Sequence, residues 1–179
     1  MNQTIQTYGR RLLAWRQRSL GWFSVVNIET FAYCNRQCEF CFNHERFPAR
    51  DKGVMPEELW RRIVGELGSM RYAGRLSPHF YGEPLLDKRL PELIAYAKKV
   101  CPWALIRVNS NGDLLSEALF LELLTKGMER IIVTNYDEAD NEVVVDLARR
   151  FPTKIRYRRQ SEMWKANRAG QLRAPGNET

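Results

Sequence analysis

The sequence predicts an α/β fold: an open, partial (β/α) barrel of about five to six parallel strands. Three observations carry that expectation. β-branched runs alternate with helical periodicity about five times, the pattern of parallel strands joined by right-handed crossovers. The 179 residues fall short of the roughly 250 that a closed eight-unit barrel typically needs. Hydrophobic residues at 44% and charged residues at 27% provide a packed core and exclude wholesale disorder.

The elements follow in order. A surface helix is expected over 8–20, with Leu12, Leu13 and Trp15 facing inward. A first strand covers 22–28, where Val25, Val26 and Ile28 fall. Pro56 opens a helix with Glu57 and Glu58 at its positive dipole end, and Leu59, Trp60, Ile63, Val64 and Leu67 recur at helical spacing. A short strand ends in His79-Phe80-Tyr81 and turns at Gly82-Glu83-Pro84. His79 and Tyr81 then share one face and could point into the barrel.

A helix over 90–100 buries Leu93, Ile94 and Ala97, and a strand over 104–108 exits at Asn109-Ser110-Asn111-Gly112. Ser116 caps a helix through Leu124. A strand over 130–134, a helix over 140–150 and a last strand over 154–157 complete the alternation. Residues 162–169 read as a terminal helix, and the Pro/Gly/Asn-rich tail is expected to fray. The organisation is a helical extension (1–21), one barrel domain (22–160) and a helix with tail (161–179). In such sheets ligands sit off the carboxyl ends of the strands.

The net charge is +7, concentrated at the two ends. No acidic residue precedes Glu29, and from Arg149 onward basic residues far outnumber acidic ones. That balance suits an anionic substrate, a nucleotide or an acidic protein, or a solvated basic surface. No apolar run approaches the roughly 20 residues that span a bilayer, and Arg16 and Arg18 interrupt any secretory signal. A cytoplasmic protein with reduced thiols is expected, with no membrane partner.

Of the four cysteines, three crowd into Cys34-x3-Cys38-x2-Cys41 directly after the first strand. Three thiolates on one loop can hold a metal centre and leave one position open, the logic of a catalytic rather than a closed structural site. A zinc site of Cys34, Cys38, Cys41 and His44, and three structural thiols, are the competing readings. Cys101, before Pro102, reads as a buried structural thiol.

The cysteine motif, with Phe40 as its aromatic residue, resembles the signature of the radical S-adenosylmethionine (SAM) superfamily. The resemblance covers most of the chain, from Trp22 to Tyr157, and is closest to the radical SAM core of short SPASM-type members. It implies that Cys34, Cys38 and Cys41 hold a [4Fe–4S] cluster and that SAM chelates the open iron. Reductive cleavage of SAM would then give a 5′-deoxyadenosyl radical that abstracts hydrogen from a substrate. Phe40 would lie near the adenine. The Gly82-Glu83-Pro84 turn stands where the family binds the SAM amino group, with Gly82 allowing close approach and Glu83 accepting from the amine. Tyr81 occupies the place of the family's usual first glycine.

By the same resemblance Asn109 and Asn111, at the third strand's end, contact the ribose or methionine portion. Asn135, at the fourth strand's end, is a further candidate, and Arg156 or Arg158 could fork the SAM carboxylate. Residues 164–170 resemble the stretch preceding a cysteine-rich SPASM extension. No cysteine follows Cys101, which fits either a fragment of a longer enzyme or a minimal protein with one cluster. The implied electron donor is a flavodoxin or ferredoxin, and the substrate a peptide side chain or a sugar or nucleotide. The alternatives are a non-catalytic cluster- or SAM-binding module and a zinc-binding nucleic-acid module; a nucleic-acid partner is not expected under the first reading.

Overall fold

The computed structural model describes residues 3–19, 23–38, 41, 43, 53–137 and 139–160. Five strands form one open sheet: β1 (Val25–Asn27), β2 (Arg75–Ser77), β3 (Leu105–Ser110), β4 (Arg130–Asn135) and β5 (Ile155–Arg159). Their spatial order is their chain order, and every pairing is parallel. A monotonic order with right-handed crossovers lays the connecting helices on one face of the sheet. Those helices are α2 (Glu57–Ser69), α3 (Leu90–Val100), α4 (Glu117–Thr125) and α5 (Glu142–Arg150), while α1 (Gln3–Ser19) precedes β1.

Alternation along the strands decides what the helices cover. Leu76, Ile106, Val108, Ile131, Val133 and Ile155 join one core with Trp60 and Val64 of α2, Leu93 and Ile94 of α3, Phe120 of α4 and Leu147 of α5. Trp60 donates its indole N–H to the Leu93 carbonyl at 3.2 Å, so this buried polar group also ties α2 to α3. Side-chain caps start the later helices: Ser116 accepts from the Leu119 N–H and Asn141 from the Val144 N–H. Cys101 is buried and its thiol lies 3.5 Å from the Tyr72 carbonyl, as a structural thiol should.

Three expectations change. The N-terminal helix forms, but Leu12 and Trp15 face outward, 66% and 61% exposed. The helix docks through polar groups instead. Gln17 is buried, donates to the Arg71 carbonyl and accepts from the Ala73 N–H, while Arg10 pairs with Glu129 at 3.3 Å. Backbone groups in the loop entering β2 require partners, and Gln17 supplies them. Secondly, β2 ends at Ser77, before the expected His79-Phe80-Tyr81 terminus. Pro78 has no N–H to continue a ladder. Finally, β3, β4 and β5 each run one or two residues further toward their carboxyl ends than the hydrophobic pattern suggests. The expected terminal helix over 162–169 lies outside the described residues.

Candidate functional site

The carboxyl ends of β1 to β4 meet at the cysteine loop. Three stitches bring the segment after β2 against the segment after β1. Glu29 accepts from the N–H groups of Tyr81 and Gly82, both at 2.9 Å through one carboxylate oxygen. Glu83 N–H donates to the Tyr33 carbonyl at 2.8 Å. Thr30 donates its hydroxyl to the Pro78 carbonyl at 3.0 Å. Gly82 makes this approach possible: a Cβ there would collide with the Phe31 carbonyl oxygen.

Glu83 is buried, and burial raises its pKa against the lowering effect of its hydrogen bonds. One oxygen accepts from the Ser110 hydroxyl at 2.8 Å and the Leu85 N–H at 3.0 Å; the other accepts from the Asn111 N–H at 2.9 Å. Three of the carboxylate's roughly four lone-pair positions are thus filled by the protein. The residue that sequence reasoning assigns to the SAM amine therefore also joins the end of β2 to the end of β3.

The next two strand ends repeat one device. Asn111 accepts from the Asp113 N–H, and Asn135 accepts from the Asp137 N–H, each at 2.9 Å. Both are Asx turns in an Asn-x-Asp tripeptide. Each presents a carboxylate to the cysteine loop, and both carboxylates converge on Arg36. Its guanidinium forks Asp113 at 2.6 and 2.5 Å and Asp137 at 2.9 and 2.6 Å. The two carboxylates raise the Arg36 pKa, and Arg36 in turn lowers that of Asp137. Asn35, beside it, donates to Asp113 at 2.7 Å and accepts from Asn111 at 2.8 Å. Tyr136 sets its ring 5.8 Å from the Arg36 guanidinium carbon.

The three thiols of Cys34, Cys38 and Cys41 are partly buried on this clamped loop. Cys38 is pushed up to about 11, first by burial and then by the neighbouring Cys41 and Cys34, against the opposing pull of Arg36. The thiols therefore feel one another. Yet among the described residues no three His, Cys, Asp or Glu side chains gather around a single ion. Three thiols on one loop fit the thiolate ligands of an iron–sulfur cluster. Bound metal would replace the Cys38 proton.

The remaining candidates fall as follows. Asn109 is exposed on the sheet face away from the helices. Asn111 and Asn135 are buried, and Asn135 also donates to the Ala139 carbonyl at 2.7 Å. Arg158 donates to the Thr134 hydroxyl at 3.0 Å, while Arg156 is exposed. His79 is buried and Tyr81 partly exposed. Phe40 and His44 lie outside the described residues. Sequence reasoning missed Glu29, Asn35, Arg36, Asp113 and Asp137. The recurrence of Asn-x-Asp at successive strand ends was the one readable signal for the last two.

An open parallel sheet whose strand ends clamp a three-cysteine loop defines an α/β partial-barrel protein. The radical SAM superfamily model matches residues 28–166. Over 153 residues the chain is 33% identical to the S-adenosyl-L-methionine-dependent 2-deoxy-scyllo-inosamine dehydrogenase of Niallia circulans, covering 84% of this chain and 61% of that protein. It is 30% identical over 135 residues to the S-adenosylmethionine-dependent nucleotide dehydratase of Lacinutrix mariniflava, covering 69% of this chain and 25% of that protein. The solved structure of BtrN in complex with AdoMet and 2-DOIA superposes with a TM-score of 0.75 at 33% identity, covering 84% of this chain and 62% of that one.

The chain belongs to the radical SAM superfamily, whose members use a [4Fe–4S] cluster and SAM. It spans about three-fifths of the length of the dehydrogenase and a quarter of that of the dehydratase. Among the described residues no helix is long and apolar enough to cross a membrane.

Proposed function

We propose that this chain is a radical SAM enzyme acting on a small hydroxylated substrate of the sugar or nucleotide kind. The observation that carries the reading is the cysteine loop itself: three neighbouring thiols after β1, locked by Arg36 to the ends of β3 and β4. When bound, the cluster would supply the one electron for reductive cleavage of SAM, and with it the hydrogen-abstracting chemistry of the family.

The chain's own residues do the positioning. Cys34, Cys38 and Cys41 would hold the cluster through their thiolates. At the Tyr81–Gly82–Glu83 turn the two amides face Glu29, so the SAM amine meets backbone carbonyls and the lone pair remaining on Glu83. Asn109, exposed at the end of β3, faces the ribose or methionine portion. Arg158 is better placed than Arg156 for the SAM carboxylate, because it stands opposite Thr134 at the carboxyl end of the β4–β5 pair. Asn111 and Asn135 act through their turns, by aiming Asp113 and Asp137 at Arg36. Phe40 is assigned to the adenine by the motif alone. The sugar or nucleotide substrate class rests on similarity to the dehydrogenase and the dehydratase, and the electron donor is a flavodoxin or ferredoxin.

The test is anaerobic reconstitution followed by reduction with SAM present. About four irons per chain, a brown chromophore and 5′-deoxyadenosine formed together with methionine are expected. Changing Cys34, Cys38 and Cys41 to Ala together should abolish all three. A four-iron protein that binds SAM but releases no 5′-deoxyadenosine refutes the enzyme reading, and a colourless zinc protein refutes the cluster.

A further inference from the structure

Strand alternation leaves an unusual set of residues on the sheet face turned away from the helices. The core takes Leu76, Ile106, Val108, Ile131, Val133 and Ile155. The alternate positions carry Arg75 on β2, Arg107 on β3, Arg130 on β4, and Arg156 and Arg158 on β5. The register keeps them together: Arg107 is opposite Arg130, Ile132 opposite Arg156, and Thr134 opposite Arg158. A band of five cations therefore runs across one face, from the start of β2 to the end of β5.

Among the described residues none of these five side chains forms an ion pair with a carboxylate. The Nε atoms of Arg75 and Arg107 are buried, and neither has a hydrogen-bond partner. Among the described residues no carboxylate pairs with either side chain. Burial and the neighbouring Arg75, Arg130, Arg158 and Arg156 all disfavour the charge on Arg107. His79, two positions beyond Ser77 and 6% exposed, has a buried Nδ1 without a partner and feels the same two arginines, Arg75 and Arg107. A guanidinium whose Nε is buried without a partner is completed by an anion bound to its outer nitrogens.

We infer that this face binds a phosphate-bearing substrate, with Arg75 and Arg107 holding its phosphates, Arg130 and Arg156 flanking them, and its reacting carbon turned toward the cysteine loop. The inference rests on the radical SAM reading and narrows its substrate. The SAM carboxylate, a single negative charge, is met by Arg158 and leaves four cations. Their number calls for a polyanion, and the planar guanidinium fork matches phosphate oxygens. Both side chains are otherwise partly exposed on that face, so a small anion can meet their outer nitrogens. His79, neutral beside these cations, offers a donor or acceptor to a phosphoryl oxygen.

The experiment titrates inorganic pyrophosphate calorimetrically into reconstituted holoprotein at low ionic strength. Wild type, Arg107→Met, Arg107→Lys and Arg75→Met are compared with Arg149→Met, which removes an exposed arginine of α5. One saturable site is expected in wild type and in Arg149→Met. Arg107→Met and Arg75→Met should weaken it by at least about tenfold, with Arg107→Lys in between. Failure of wild type to bind, equal loss in Arg149→Met, or citrate binding as tightly as pyrophosphate each overturns the inference. Production of 5′-deoxyadenosine by the same samples separates the two readings. If it forms without pyrophosphate binding, the phosphate site alone is wrong. If pyrophosphate binds but no 5′-deoxyadenosine forms, the site stands and the enzyme reading fails.

Discussion

Arg36 is the residue whose loss should most directly free the cysteine loop. Its side chain is 21% exposed and that of Asp113 is 28% exposed, so their two-bond fork is partly shielded from water. A charge-assisted pair of this kind contributes about 1.5–3 kcal/mol. Asp137 is 59% exposed, and solvent screening discounts its share to about 0.5 kcal/mol. Arg36→Met also leaves two carboxylates facing each other. A loss of about 2–3 kcal/mol shifts the loop toward its released form by roughly 30- to 150-fold. Iron release from the reconstituted protein to a chelator should accelerate by that factor, and amide exchange around Cys34 to Cys38 should rise in parallel. Arg36→Lys should recover part of the effect, since one ammonium cannot fork two carboxylates. The sign of the pH dependence follows from Asp137, whose pKa is lowered by Arg36. Its contribution is fully present above the unfolded value of about 3.9 and is lost as pH falls through the folded value. Unchanged iron release and exchange in a folded Arg36→Met protein would refute the reasoning.

Three further outcomes test the parts around the clamp. Gly82→Ala places a methyl against the Phe31 carbonyl, a backbone atom that cannot rotate away; it should cost about 2–3 kcal/mol in urea unfolding, and an unshifted midpoint would contradict the close approach. Glu83→Gln keeps the shape but turns one oxygen into a donor that faces either the Asn111 N–H or the Ser110 and Leu85 donors; a loss of about 1–3 kcal/mol is expected, and wild-type stability would show that the carboxylate is not needed as a joint. His79 is lowered to about 4 by burial first and then by Arg75 and Arg107, with Glu29 opposing. Its folded pKa lies below the unfolded value of about 6.5, so stability is full above that value and falls with pH toward 4, by about 2 kcal/mol at pH 5. Denaturant titrations at pH 7.5 and 5 should show that limb in wild type and not in His79→Gln.

Much of this molecule was legible because its signals are local. The helix over 90–100, the Ser116 cap and the cysteine spacing each announce themselves within a few residues, and the structure reproduces the first two. What escaped was non-local. Arg36 reaches Asp113 and Asp137 across 77 and 101 residues, and Glu29 reaches Tyr81 and Gly82 across 52 and 53. No periodicity reports a partner at that separation, and a charged residue in a loop is ordinarily a solvated one. The outward turn of Leu12 and Trp15 was misread for a related reason. Hydrophobicity ranks side chains, but Gln17 answers backbone groups at 71 and 73 that the pattern does not contain.

The two kinds of site residue therefore differ in what constrains them. A cysteine of the motif is fixed by the chemistry of the metal it would hold, so its spacing is rigid and readable in isolation. Arg36 is fixed by where two strands end, and Asp113 and Asp137 reach it because each strand closes on the same Asn-x-Asp turn. Lengthening either turn by one residue would keep every cysteine in place and still withdraw a carboxylate from the guanidinium. Inserting a glycine after Gly112 should thus reproduce the rapid iron release of Arg36→Met with the cysteine motif untouched. Inserting one after Phe151, between α5 and β5 at the opposite end of the sheet, should not. Equal iron release from the two insertions would show that the clamp does not hold the loop.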